Sequence, residues 1–269
     1  MLGAIAGDII GSFYEHSRLK IYNFDLFHKR SKFTDDTVMT IAVAHWLAHY
    51  DEYGLTKEQL ITSMQEFGRK YPRAGYGYNF KKWLNSEDSQ SYNSWGNGAA
   101  MRVSPVGLYA ENLDEALDLT KRTAEVSHNH PEGIKGAQAV AVAVWMAKNG
   151  HAKEEIRDYI TEKFNYDLTH TIDEIRPIYQ WNISCQGSVP ESIICFLEDK
   201  DFVDVVRLAV SLGGDADTMA CIAGSIAACI YSIPEQIAIE CEKRLPTDLL
   251  KIMRDFERYI IQRNSITLN

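Results

Sequence analysis

Two short segments concentrate oxygen ligands in a way that ordinary helix capping does not require. Thr34-Asp35-Asp36-Thr37 precedes an apolar run from Val38, and Gly213-Gly214-Asp215-Ala216-Asp217-Thr218 precedes another from Met219. One Ser, Thr or Asp at a helix start satisfies the free N–H groups, and an acidic residue there complements the helix dipole. Capping needs one such residue at each start, whereas both carry two carboxylates and a hydroxyl. Burying four carboxylates costs several kcal/mol per ion unless positive charge compensates, and neither segment contains a Lys or Arg of its own. Divalent cations would compensate. Oxygen donors without clustered His or Cys select magnesium, manganese or calcium over zinc, and four carboxylates neutralise two such ions. Spacing alone leaves open whether these two starts, separated by most of the chain, come together.

The elements that would have to position these groups are helices. Apolar residues recur at helical spacing through Val38, Ile41, Ala42 and Trp46, along Ala137 to Ala147, Phe202 to Val210 and Ile222 to Ile230. Most of these runs are apolar on nearly every side, the pattern of helices inside a large bundle. The segments GAQAVAVAVWMA from Gly136 and ACIAGSIAACI from Ala220 are rich in small residues that let helix axes approach closely, which places both at the centre. The helix after the second acidic start is expected over Met219 to Tyr231. Two stretches break the regularity. Tyr71 to Gly98 mixes Gly, Tyr, Asn, Ser and Trp and reads as an irregular loop, and Trp181 to Pro190 reads as a second. With no long Pro, Gly or Ser linker and no internal repeat, the expectation is one all-α domain over residues 1–269.

Composition narrows the partners. The chain has 269 residues, 28 Lys+Arg against 37 Asp+Glu, and a net charge of -9. That balance argues against an extended face for nucleic acid, since each phosphate contact calls on Lys or Arg. No apolar run reaches the roughly 20 residues needed to span a bilayer. Met1 to Phe13 lacks a basic leading segment and carries Asp8 in its middle, unlike a secretory signal. Cys185, Cys195, Cys221, Cys229 and Cys241 form an odd number without a CxxC pair and read as buried, reduced thiols. A cytoplasmic protein without membrane contact, able to be a monomer, is expected.

Five segments in order carry a resemblance: GAIAGDIIGSFYE from Gly3, TDDT from Thr34, GNGAAMRVSPVGL from Gly96, SHNHPEGIKGAQAVA from Ser127 and GGDADTMACIAGSIAA from Gly213. Together they resemble the ADP-ribosylglycohydrolase family, over about residues 3 to 232. The resemblance implies a compact orthogonal helical bundle with a pair of magnesium or manganese ions at the base of a cleft. It implies ligands from Thr34, Asp35 and Asp36 on one side and Asp215, Asp217 and Thr218 on the other. Glu15 looks like the family glutamate near the metals. Ser94-Trp95-Gly96-Asn97-Gly98 looks like the ADP-ribose cradle, with glycines for close approach to phosphate and Trp95 as a stacking face. His128 resembles a histidine that contacts phosphate or the distal ribose, and Gln186 and Gly187 fall in a loop lining the adenosine end. For Arg102, binding pyrophosphate and pinning the loop are both open, and Tyr76, Tyr78 and Phe80 are candidate rim residues.

The expected reaction is hydrolysis of the glycosidic bond at the distal ribose of an ADP-ribosylated protein, on arginine or serine, or of a related conjugate, releasing ADP-ribose. Asp36 or Glu15 would take or orient the proton of the attacking water while the ribose hydroxyls are held on the two cations. The alternatives on the same scaffold are hydrolysis of O-acyl-ADP-ribose or another nucleotide-linked substrate, and ADP-ribose binding without catalysis.

Overall fold

The computed structural model describes residues 1–267; the last two residues of the expected 1–269 unit lie outside the described chain. Among the described residues there are fourteen α-helices and no strand, and one isolated antiparallel bridge pairs Gly96 with Ser184. The helices are α1 (Leu2–Gly11), α2 (Asp35–Tyr50), α3 (Lys57–Lys70), α4 (Tyr78–Leu84), α5 (Ser104–Tyr109), α6 (Leu113–Glu125) and α7 (Pro131–Lys148). After them come α8 (Lys153–Phe164), α9 (Ile172–Ile175), α10 (Val189–Glu198), α11 (Phe202–Ser211), α12 (Ala216–Ala227), α13 (Glu235–Glu242) and α14 (Thr247–Thr267). No helix of the described residues is long and apolar enough to cross a membrane.

The centre of the molecule is the pair α1 and α12. Every residue of α12 is buried, as is α1 from Gly3 to Gly11. Gly3, Gly7 and Gly11 recur at i+4 and form a stripe along one face of α1. A Cβ on any of them would fall inside the van der Waals shell of the Gly224, Ala220 or Ala216 carbonyl oxygen, respectively. Reciprocally, a Cβ on Gly224 would lie 2.6 Å from the Gly3 oxygen. The two backbones therefore touch along three turns, closer than any larger side chain would permit. Around this pair, α2, α7, α10 and α11 pack their apolar faces into one continuous core that includes Ile5, Ile9, Met39, Trp46, Val140, Phe196 and Phe202.

Local chemistry sets the helix starts. Thr34 caps α2, its Oγ1 accepting the Asp36 N–H at 3.3 Å, and Thr56 with Gln59 forms a reciprocal capping box on α3. Asp201 caps α11 through the Asp204 N–H at 2.9 Å. Asp215 stands at the cap position of α12, yet its side chain makes no capping bond. It is left for other partners.

The structure departs from the expected elements in two places. The stretch Tyr71 to Gly98 contains the seven-residue helix α4, because Phe80, Trp83 and Leu84 recur at i, i+3 and i+4 and are buried; Leu84 packs directly over Gly68 of α3. Helix α12 ends at Ala227 rather than Tyr231, where the chain turns outward through the exposed Ile230 toward Pro234.

Gly7→Ala tests the central contact. Its methyl must displace the α12 backbone at Ala220, so a loss of about 3 kcal/mol is expected in urea unfolding. A variant of wild-type stability would mean that the axes are not held at this separation.

Candidate active site

The close approach of α1 and α12 brings together carboxylates from three helices. Asp8, in the middle of α1, is fully buried and receives four donors from the first turn of α2. The Thr34 N–H reaches Oδ2 at 2.9 Å, the Thr34 hydroxyl reaches Oδ1 at 2.7 Å, the Thr37 N–H reaches Oδ2 at 3.1 Å, and the Thr37 hydroxyl also donates to Oδ2. Thr34 has one hydroxyl proton; at 2.7 Å Asp8 holds it in preference to Asp36 at 3.3 Å. Asp36 Oδ2 accepts from the Thr218 hydroxyl at 3.2 Å, and Asp36 Oδ1 is buried without a hydrogen-bond partner.

Carboxylate oxygens converge in two triads. Asp8, Asp36 and Asp217 form one, Glu15, Asp215 and Asp217 the other, each with its oxygens within 4.8 Å of one another. Asp217 belongs to both. The two acidic helix starts thus meet at their carboxylates. Asp35 lies beside them without joining either triad; its N–H bonds the Ala74 carbonyl at 2.9 Å, and one carboxylate oxygen lies where a Cβ on Gly75 would come to 3.0 Å.

The electrostatics of this group are those of crowded, desolvated acids. Burial, opposed by the threonine hydrogen bonds, holds Asp8 at about 6, above the ordinary 3.8. Burial also raises Asp215 to about 6, although the Asn97 amide opposes it, and raises Asp35 to about 8 with help from the charge of Asp8. Asp36 and Asp217 are pushed well above the usual carboxylate range, first by burial and then by neighbouring carboxylates. The leading causes of these shifts are burial, neighbouring carboxylates and hydrogen bonds, with no Lys or Arg among them.

Above the carboxylates opens a cavity of about 430 Å³. Its floor is Asp36, Asp215, Asp217 and Thr218; one wall is Gly75, Gly77, Tyr78, Asn79 and Phe80, and the other is Tyr92, Ser94, Gly96, Asn97, Gly98 and His128. The Asn97 amide ties the glycine loop to the floor, donating to Asp215 Oδ2 at 2.7 Å and to the Ser188 hydroxyl at 3.3 Å. Two backbone bonds strap this loop to the segment carrying Trp181 and Ile183, which also line the cavity: Asn97 N–H to the Ile183 carbonyl at 2.8 Å and Cys185 N–H to the Trp95 carbonyl at 2.9 Å.

Glu15 and His16 close the remaining side, 3.6 Å apart between Oε2 and Nε2. The segment that carries them is anchored where Gly213, at φ +65°, lets the Arg18 and Leu19 carbonyls approach to 2.9 Å of where its Cβ would be. Lys20 Nζ adds bonds to the carbonyls of Tyr179, at 2.7 Å, and Leu212.

Other candidates sit differently from their expected places. Trp95 is half exposed, stands edge-on to His130 at 5.5 Å, and is not among the residues lining the cavity; Tyr78, Phe80, Tyr92 and Trp181 supply the aromatic faces instead. Gln186 and Gly187 do not line it either. The short turn Cys185–Gly187 directs Gly187 toward Tyr179, whose hydroxyl donates to the Gly187 carbonyl at 2.5 Å, beside a separate hollow. Tyr76 is buried outside the lining while Tyr78 is 74% exposed at the rim. His130 caps α7 through Glu132 N–H at 3.1 Å. Arg102 is fully buried and holds the carbonyls of Gly98 at 3.1 Å and Thr123 at 2.7 Å, the loop-pinning arrangement. Asp8 was not among the site residues expected from the sequence; a lone carboxylate on an otherwise apolar helix is the signal that could have found it.

The family described as ADP-ribosylglycohydrolase matches residues 1–265. The ADP-ribosylhydrolase ARH3 of Homo sapiens is 27% identical, covering 93% of this chain and 90% of its own. A putative ADP-ribosyl glycohydrolase, L543, of Acanthamoeba polyphaga mimivirus is 24% identical, covering 86% and 85%. A solved structure titled ADP-ribosylglycohydrolase-related protein complex superposes with a TM-score of 0.75 at 21% identity over 96% of this chain and 95% of that one, a likeness of fold. On a match that spans nearly its whole length, the chain belongs to the ADP-ribosylglycohydrolase family and is a glycosidic-bond hydrolase.

Proposed function

We propose that this protein hydrolyses the glycosidic bond at the distal ribose of ADP-ribose conjugates on protein arginine or serine, releasing ADP-ribose, with two divalent cations, magnesium or manganese. The observation that carries the reading is the pair of carboxylate triads that share Asp217, a residue on the floor of the cavity with Asp36 and Asp215. The relatives named ADP-ribosylhydrolase ARH3 support the substrate class.

The residues present fit a pair of hard cations. Asp36 Oδ1 is a buried acceptor lacking a donor, the ligand set is all oxygen, and no basic side chain is among the leading influences on Asp36 from the described residues. Asp36, Asp215 and Asp217, with Glu15 at the mouth, would hold the ions; Thr34, Asp35 and Thr218 complete the proposed ligand set. Asp8 already receives four donors and acts chiefly as the anchor of the first turn of α2. When bound, the cations supply positive charge that fixes the vicinal ribose hydroxyls and acidifies water.

Glu15 borders the cavity and is half-buried, so it takes or orients the proton of the attacking water; Asp36 stays in the ligand set. The reacting carbon gains positive charge as the leaving group departs, and the surrounding carboxylates stabilise that charge. Ser94, Gly96, Asn97, Gly98 and His128 cradle the pyrophosphate, while Tyr78, Phe80 and Trp181 offer faces to the rest of the nucleotide. Trp95, Gln186 and Gly187 do not line the cavity and are left out of this cradle.

Asp217→Asn removes the ligand common to both triads. Release of ADP-ribose from an ADP-ribosylated peptide in magnesium or manganese should fall at least about 100-fold; near-wild-type turnover by the folded variant sinks the assignment. A panel of arginine, serine and O-acyl linkages identifies the leaving group, and AMP in place of ADP-ribose among the products would point to phosphoester cleavage.

The raised carboxylates also predict a pH dependence. Asp8 and Asp215 at about 6 and Asp35 at about 8, against 3.8 unfolded, favour the protonated form in the folded state. Their contribution is fully present below the unfolded value and is lost as pH rises through the folded ones. The melting temperature of chelated protein should therefore fall as pH is raised from about 5 to about 8, and magnesium should reverse the fall. A flat profile in chelator would show that the triads are not the strained element.

A further inference from the structure

We propose that Arg102 and Ser127 are positioning residues that lock His128 as its Nε2–H tautomer, giving the cavity a fixed N–H donor for an anionic oxygen of the substrate. The inference rests on the reading of the glycine loop as a pyrophosphate cradle.

His128 is buried, lines the cavity and bonds the Ser127 hydroxyl through Nδ1 at 2.8 Å. Arg102 Nη2 donates to the same hydroxyl oxygen at 3.0 Å. A guanidinium has donors only, so the Ser127 oxygen must accept from Arg102. Its single proton then turns toward the other polar partner, Nδ1. Were Nδ1 to carry a proton, that hydroxyl proton would be buried with no acceptor, since Ser127 is fully buried. A neutral ring accepting at Nδ1 carries its proton on Nε2.

The ring is held neutral. Burial and the charge of Arg102 push its pKa well below the ordinary 6.5. The groups facing it are Arg102, the Tyr92 ring at 5.7 Å and the Phe80 ring at 6.2 Å. Tyr92 is pushed up to about 12 by burial and stays neutral, so it offers no negative charge that would stabilise an imidazolium at His128.

Nε2 lies against the glycine loop, where a Cβ on Gly98 would come to 3.2 Å and one on Gly96 to 3.6 Å. Arg102 Nη1 holds the Gly98 carbonyl at 3.1 Å, so one guanidinium fixes both the loop and, through Ser127, the histidine. A neutral donor pays less desolvation than an imidazolium and does not change with pH in the way a titrating histidine would.

The test reads the tautomer directly. In protein labelled with nitrogen-15 histidine, long-range proton–nitrogen spectra should show His128 with a protonated Nε2 and a bare Nδ1. Ser127→Ala should admit the Nδ1–H form and weaken ADP-ribose binding about tenfold, with KM for an ADP-ribosylated peptide rising similarly and kcat changing little. In a His128→Ala background the same Ser127→Ala change should add nothing. An Nδ1–H tautomer in the wild type, an unchanged tautomer and affinity in Ser127→Ala, or a full tenfold further loss in the His128→Ala background would each overturn the proposal. The spectrum needs no substrate. A wild type with Nε2–H that fails to bind ADP-ribose would refute the cradle reading instead, and with it the donor role, while leaving the locked ring intact.

Discussion

The backbones of α1 and α12 touch along three turns, and the rest of the site depends on that contact. Gly3, Gly7 and Gly11 leave no side chain between the two helices, so carbonyls of α12 sit where Cβ atoms would otherwise be. Only at this separation can Asp8, from the middle of α1, share a cluster with Asp217, from the first turn of α12. Asp8 in turn collects both threonines of the first turn of α2 and so brings Asp36 into the same cluster. Three helix segments far apart in the chain are thereby positioned by packing at one end and by hydrogen bonds at the other.

Magnitudes decide which carboxylates can remain charged in such a place. Raising an acid from 3.8 to about 6, as at Asp8, corresponds to about 3 kcal/mol against its ionised form. That is what remains after four donors have acted, each worth about 1.5 to 3 kcal/mol to a charged acceptor. Asp36 lacks such a set: one oxygen has no partner and the other relies on the Thr218 hydroxyl. The difference separates an acid satisfied by the protein, which anchors structure, from one left for an external charge. The glycine loop follows the same logic with opposite sign, for Arg102 is buried without a carboxylate and is held by carbonyls and a hydroxyl.

Much of the site was legible in the sequence, for identifiable reasons. The segments from Thr34 and Gly213 stand out because two acids at each start of a buried helix exceed what capping asks for, and the structure brings Asp36, Asp215 and Asp217 together. The all-α fold follows from the helical spacing of apolar residues. The glycine stripe was also present as an i+4 repeat in GAIAGDIIG, but its partner face on α12 lies more than two hundred residues away and no local pattern names it. Asp8 was hidden by its surroundings, since an apolar helix draws attention to packing. The orientation of Trp95 and the contribution of Trp181 and Ile183 depend on the strap between two loops, a pairing of Trp95 with Cys185 that composition does not encode. The helix α4 was obscured by glycines and polar residues on both sides of a seven-residue apolar pattern.

The carboxylate cluster also bears on how such a chain can change over time. Any substitution that relieves the crowding of Asp36 and Asp217 makes the unliganded fold easier to form while dismantling the floor of the cavity. Stability and activity therefore pull these positions in opposite directions. Neutral replacements there would accumulate readily in a lineage released from selection for turnover, and would leave a tougher protein of the same shape.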